Sequence, residues 1–130
     1  MNVWRCRCTQ TTAGTRVACA DWAFDLEGAR LDQEAVLVGV RPHDICLASP
    51  RDADAAGRVE VIEPLGATTI IHVRIERASS HAIRIVVPAD QALAVDDEVA
   101  IRIRRDRVYV FDERTGMALL AAERSPLRRA

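Results

Sequence analysis

Lysine is absent from this 130-residue chain, in which all 18 basic residues are arginine. A phosphate-binding loop of the Walker kind needs its lysine on the phosphates and a Schiff base needs a primary amine, so both chemistries are excluded from these residues. Aromatic side chains are scarce as well, only 4% of the composition. Long apolar runs are missing. None approaches the roughly 18 residues of a membrane-spanning helix, and residues 1–15 carry neither the apolar core nor the small-residue cleavage site of a secretory signal, so a cytoplasmic location is expected. No charge of one sign prevails, since 19 acidic residues leave a net charge of −1. The chain as a whole therefore gives no long-range attraction to nucleic acid or anionic lipid.

What is present is an ordinary soluble composition, 49% apolar and 28% charged, at a length that suits one domain with its own core. The four cysteines, Cys6, Cys8, Cys19 and Cys46, include no CxxC pair. In a reducing compartment they are expected to stay reduced and structurally incidental. A zinc site from Cys6, Cys8 and Cys19 is disfavoured, because C-x-C is too tight for zinc-knuckle spacing and no histidine lies near.

The stretch from Gly57 to Ile75 organises the rest. It is two period-two runs joined by Pro64-Leu65-Gly66, and it is expected to form a β-hairpin. Val59 and Val61 are expected on one face. Beyond the corner, Thr69, Ile71, Val73 and Ile75 alternate with Ile70, His72 and Arg74. Pro64 removes a ladder donor and Gly66 can adopt positive φ, so the break has a chemical cause, and a bend or bulge there would carry the sheet around a corner.

On either side the same pattern recurs in short pieces. Val3–Cys8 and Arg16–Ala20 pair across a turn-rich segment, Trp22 and Phe24 alternate as on a strand, and Trp4, Trp22 and Phe24 are expected in a core rather than as a base-stacking platform. Ala35–Val40 is a continuous apolar strand that Arg41-Pro42 ends. His43 and Asp44 are expected in a plain turn, not as an acid–base couple. Residues 48–56 should be an exposed loop, 77–80 a turn, and His81–Val87 a strand that Pro88 stops. Ala89–Ala94 is too short for an independent helix. Val99–Ile103, Val108–Asp112 and Met117–Leu120 complete the strands, and residues 121–130 look like a solvated tail. About eight short strands at regular spacing, without a long helix, predict an all-β fold closed or nearly closed into a small barrel.

Three segments carry a resemblance: Gly39-Val-Arg-Pro-His-Asp-Ile45, Val59-Glu-Val-Ile-Glu-Pro-Leu-Gly66 and Val108-Tyr-Val-Phe-Asp-Glu-Arg-Thr-Gly116. In this order and at about these distances they resemble the C-terminal regulatory domain, the transport-associated OB or TOBE domain, of carbohydrate ABC importer ATPases of the maltose and glycerol-3-phosphate type. The motif positions are Gly39, Arg41, Pro42, Asp44, Glu63, Leu65, Gly66, Phe111, Asp112 and Gly116, expected to matter first for fold and second for contact. The chain departs from the pattern at His43, where an acidic residue is usual, and at Asp97, where glycine is usual.

The resemblance implies an OB-like barrel over residues 31–120, with residues 1–30 as strands on the linker side of a nucleotide-binding domain. Met1-Asn2 resembles the pair at which such ATPases leave that domain, so the chain is expected to be the C-terminal end of a longer subunit. It further implies a non-catalytic dimerisation and regulatory module, with no cofactor or metal. The implied partners are a second copy, the nucleotide-binding domain and a regulatory protein, without nucleic acid or membrane insertion. The implied location is peripheral to the inner membrane through the transporter. Two alternatives stay open beside it. An anion-binding module is disfavoured by the lack of the S-A-R-N signature of molybdate-binding relatives and of a glycine-rich nest. An oligonucleotide-binding module is suggested by fold analogy, with the arginines of residues 102–107 as its best support, and is disfavoured by five aromatics in all and a slightly acidic balance. An enzyme finds no metal, nucleophile or paired-carboxylate spacing, and His72 and His81 are expected to be structural.

Overall fold

The computed structural model describes residues 1–20, 22–75 and 82–120. Their strands are β1 (Asn2–Gln10), β2 (Gly14–Ala18), β3 (Ala23–Glu27), β4 (Ala35–Val40), β5 (Ile45–Ala48), β6 (Ala55–Pro64), β7 (Thr68–Ile75), β8 (Ala82–Pro88), β9 (Glu98–Ile103), β10 (Tyr109–Asp112) and β11 (Ala118–Leu120). Three-residue 3-10 turns at Pro42–Asp44, Pro50–Asp52 and Arg105–Arg107 are the helical pieces among the described residues. No helix there is long and apolar enough to cross a membrane. The expected turn at 77–80, the His81 start of β8 and the tail at 121–130 lie outside the described residues.

The all-β expectation holds, whereas the single barrel of about eight strands needs correction. The strands form a six-stranded sheet in the order β11-β10-β4-β1-β2-β3 and a five-stranded sheet in the order β5-β9-β6-β7-β8, and neither closes on itself. Periodicity identifies strands but not partners. After β4 the 3-10 turn at Pro42–Asp44 interrupts the ladder, β4 pairs with β10 far along the chain, and β5 pairs with β9. The last residue of β5, Ala48, and the first two of β6, Ala55 and Ala56, lie in the segment expected to be loop, because alanine has weak strand propensity.

By contacts the chain divides into two compact units. One holds β1 to β4 with β10 and β11, the other β5 to β9. In the first unit, alternation along β1 turns Trp4 and Cys6 inwards. Trp4 meets Trp22 edge to face at 5.4 Å, and Trp22 stacks on Phe24 at 5.0 Å. These three rings are buried, as expected of core residues. The expectation of reduced cysteines is overturned for one pair, for Cys6 and Cys19 are joined by a disulfide. Extending the β1–β2 register by one step from Arg7↔Ala18 sets the two residues opposite each other, with Cα atoms 4.4 Å apart, inside the span a disulfide bridges. Cys8 and Cys46 remain free thiols.

In the second unit, β6 runs between β7 and β9, and its inward Val59 is fully buried with Ile71, Ile85, Ile101 and Ile103. Each such side chain contributes about 1.5–3 kcal/mol by leaving water. Val61 does not share the face of Val59, which corrects the expected alternation. A bulge between them shifts the register, so that Val59 opposes Val73 and Val61 opposes His72. The phase of the strand changes there, and Val61 is 42% exposed. The irregularity thus lies ahead of Pro64 and not at it. The acidic turn before β9 holds this place, with Val59 N donating to Asp97 O at 3.0 Å and Asp96 N donating to Val59 O at 2.8 Å.

The left-handed residue of that turn is Asp96, with φ 74, rather than the Asp97 that occupies the usual glycine position. Asp97 instead caps the turn, its Oδ2 accepting the Ala94 N–H at 2.8 Å. Left-handed backbone costs an L side chain about 1–2 kcal/mol, and most when the side chain is β-branched. Asp96→Val should therefore lower the unfolding free energy in urea by about that amount, while Asp96→Gly should change it by less than about 1 kcal/mol. Equal losses in the two variants would show that backbone conformation is not what position 96 demands.

Candidate functional site

The sequence motifs fall on three local structures, each built by hydrogen bonds within its own segment. The first is the turn after β4. Pro42 opens a 3-10 turn whose Asp44 N–H donates to Arg41 O at 2.9 Å. Asp44 is buried, 5% exposed, and His43 Nε2 stands 3.6 Å from its Oδ2. The turn is as expected, but its helical geometry brings together two neighbours that a strand would have held apart.

The second is the β6–β7 corner. Leu65 N donates to Thr68 O at 2.8 Å, and Gly66 takes φ +94 in the middle of this turn. Leu65 is 61% exposed at the tip. Behind it Glu63 Oε1 lies 3.5 Å from His72 Nε2 across the ladder, and Arg74 pairs with Glu60. Val61, Glu63, Pro64 and Leu65 are all exposed at this end of the hairpin, so the corner offers solvent an apolar residue at the tip with the Glu63 carboxylate behind it.

The third is the β10–β11 hairpin. Asp112 Oδ1 accepts the N–H groups of Arg114 at 2.8 Å and Thr115 at 3.0 Å, and Gly116 N donates to Asp112 O at 2.9 Å with Gly116 at φ +75. Gln33 Nε2 donates to Asp112 Oδ2 at 3.3 Å. The backbone N–H groups of Thr115 and Arg114 favour the charged carboxylate and hold the Asp112 pKa below the usual carboxylate range. Phe111 stacks on Tyr109 with ring centres 6.2 Å apart. Gly39, opposite Tyr109 on β4, leaves space chiefly for the Met1 side chain, since a Cβ there would overlap Met1 Sδ and stand 3.3 Å from Phe111 Cε2.

Gly39, Phe111, Asp112 and Gly116 thus belong to the first unit, and Asp44, Glu63, Leu65 and Gly66 to the second. Within the first unit the structure brings Gly39 to Phe111. Gln33 is the contact that sequence reasoning missed. Its signal was present only in the pairing of β4 with β10, which sets the polar turn before β4 beside Asp112.

The surface depressions have little of a reaction centre. One, of about 540 Å³, opens in the second unit between Pro50, Asp54, Ala55 and Glu98. Its two carboxylates repel an anion, and Asp54 Oδ2 is already engaged by the Ile103 N–H at 2.8 Å. Another, of about 440 Å³, is lined in the first unit by Arg5, Arg7 and Glu34, with Arg5 paired to Glu113. Among the described residues no three His, Cys, Asp or Glu side chains gather as metal ligands would.

Comparison with known proteins agrees with the order of the motifs. The sequence profile of the TOBE domain matches residues 38–111, more than half of the chain, and takes in the first two motif segments whole and the third as far as Phe111. The sn-glycerol-3-phosphate import ATP-binding protein UgpC of Vibrio vulnificus is 26% identical over 83% of this chain and 29% of its own length. The sulfoquinovosyl glycerol transport ATP-binding protein SmoE of Agrobacterium fabrum is 31% identical over 65% of this chain and 23% of its own. For the xylose/arabinose import ATP-binding protein XacJ of Haloferax volcanii the figures are 29%, 68% and 25%. The chain spans less than a third of the length of these curated relatives.

Two expectations test the motif chemistry. A Cβ at Gly66 would meet nothing within 4 Å, so Gly66→Val should cost about 1–2 kcal/mol through backbone conformation alone, seen as a lower midpoint in urea. An unchanged midpoint would make the corner an ordinary turn. Asp112, with its folded pKa depressed, contributes stability that is present above the unfolded value of about 3.9 and is lost as pH falls through the folded value. Asp112→Asn should therefore melt below the parent near neutral pH and converge on it below about pH 4. A gap that persists in acid would mean that the carboxylate charge is not what the hairpin uses.

Proposed function

The chain belongs to the TOBE domain family, and on that premise we propose that it is the non-catalytic regulatory domain of the ATP-binding subunit of an ABC importer. The observation that carries the reading is the family match, which takes in two motif segments whole and the start of the third, together with the turn that each segment closes for itself. In those turns the motif residues work as turn-formers and spacers. Gly66 and Gly116 supply positive φ, Asp112 gathers amides, and Gly39 leaves space for the Met1 side chain. Such residues build surfaces. They do not polarise a substrate bond, and a chain without lysine supplies no phosphate-loop lysine of its own.

In this reading ATP hydrolysis belongs to a nucleotide-binding domain of the same subunit, and this domain joins two subunits and offers a surface to a regulatory protein. The cargo is a carbohydrate or a glycerol phosphate, by analogy with the cargo in the names of the relatives. The working location is the cytoplasmic side of the membrane, held there by the transporter. Burial of Trp4, Trp22 and Phe24 removes the rings that an oligonucleotide-binding reading would use for stacking, so it is not preferred.

Light scattering of the chain over a range of concentrations, alone, with ATP and with short single-stranded DNA, tests this. The expected result is a concentration-dependent dimer indifferent to both ligands. A monomer that binds DNA with affinity falling steeply with salt would replace the proposal by an oligonucleotide-binding one.

A further inference from the structure

We propose that Cys6 and Cys19 form a reversible thiol–disulfide latch on the β1–β2 hairpin, and that opening the latch loosens the edge strand β3. The inference rests on the geometry of this hairpin and not on the importer reading. The two cysteines close the open end of a hairpin whose other end is already held by Gln10↔Thr15 and by the Thr11 N–H on Gly14 O at 2.9 Å. The bond therefore acts on the end from which the chain leaves for β3. At that exit Cys19 N donates to Trp22 O at 2.8 Å. Among the described residues β3 is an edge strand paired only to β2. An edge strand held on one side depends on the order of its neighbour and on the Cys19–Trp22 hydrogen bond at its start.

The two sulfurs are placed unequally. Cys6 is 2% exposed, whereas Cys19, just past the end of β2, is partly exposed. A low-molecular-weight thiol therefore meets Cys19 first. Its thiolate attacks Cys19 Sγ, the Cys6–Cys19 bond breaks, and the electron pair leaves on Cys6 Sγ, which takes a proton from water. A second thiolate then attacks the small molecule's sulfur in the mixed disulfide, releasing Cys19 as a thiol and the small molecule as its disulfide. Two thiols are oxidised and the protein pair takes up two electrons. Oxidised small thiol drives the same steps in reverse. Cys8 does not compete, since burial raises its pKa and leaves less of the thiolate that exchange requires.

The test equilibrates the full chain in a series of glutathione and glutathione disulfide mixtures. Thiols are trapped with an alkylating agent, the Cys6–Cys19 peptide is quantified by mass, and amide hydrogen exchange is followed in the same samples. The expected result is a single two-electron transition within the series, with the β3 amides exchanging roughly ten-fold or more faster in the reduced chain and those of β6 and β7 unchanged. Cys8→Ser should keep the transition. Cys19→Ser should show the fast β3 exchange of the reduced parent in every mixture. The proposal is overturned by a pair that stays bonded, or stays open, throughout the series. It is equally overturned by a transition lost in Cys8→Ser, or by β3 exchange that is the same in the two redox states or slow in Cys19→Ser.

Discussion

The pairing of β6 on both sides is the constraint on which the second unit depends. One edge of β6 runs along β7 and the other along β9, which in turn carries β5, while β7 carries β8. Every strand of that sheet is therefore placed by the register of β6. The register contains one fault, the bulge between Val59 and Val61, and the fault has consequences on both sides. It keeps Val59 in the core, turns Val61 to solvent, and sets Val59 against the acidic turn that starts β9. A bulge increases twist and bends a strand, so one extra residue gives the sheet its curvature and exposes the end of the hairpin that carries Leu65.

The first unit depends in the same way on a pairing distant in sequence, β4 with β10. Val38 and Val110 meet in the core on one face of it, and Gly39, Leu37, Tyr109 and Phe111 lie on the other. At the end of this ladder the Asp112 carboxylate collects two backbone amides and the Gln33 side chain, so that a hairpin with only three residues in its second strand is still well defined. The TOBE profile takes in this ladder at Val38, Gly39 and Tyr109 to Phe111 and stops short of Asp112, and the chemistry of these positions is that of shape rather than of reaction. On the proposed reading, a domain that presents surfaces to other parts of a transporter needs turns that hold their form.

Arginine without lysine suits the same end. In the β6–β7 ladder Arg58 and Arg74 stand directly opposite, a repulsive arrangement. Each is compensated by a carboxylate, Arg58 by Glu98 at 2.9 Å and Arg74 by Glu60. The pairs are exposed and contribute little to stability, but they fix which carboxylates remain for a partner. Glu63, beside the apolar tip, is held only by a contact of 3.5 Å to His72.

Strand identity was legible in the sequence wherever period two was unbroken, as in Ile71–Ile75 and Val99–Ile103, because alternation follows directly from the geometry of a pleated chain, and in the continuous apolar run Ala35–Val40. Turn chemistry was legible too: Gly66 and Gly116 have positive φ, and Pro42 opens a turn. The absence of lysine and the order of the three motifs, both properties of the sequence alone, determined the chemistry excluded and the family. Partners were not legible. Strand pairing joins residues far apart in the chain and leaves no mark on local periodicity, so only the tertiary structure decided that there are two open sheets and not one barrel. The bulge that turns Val61 outwards, the positive φ at Asp96 and the meeting of Cys6 with Cys19 are decided by registers, and a register exists only once two strands lie side by side.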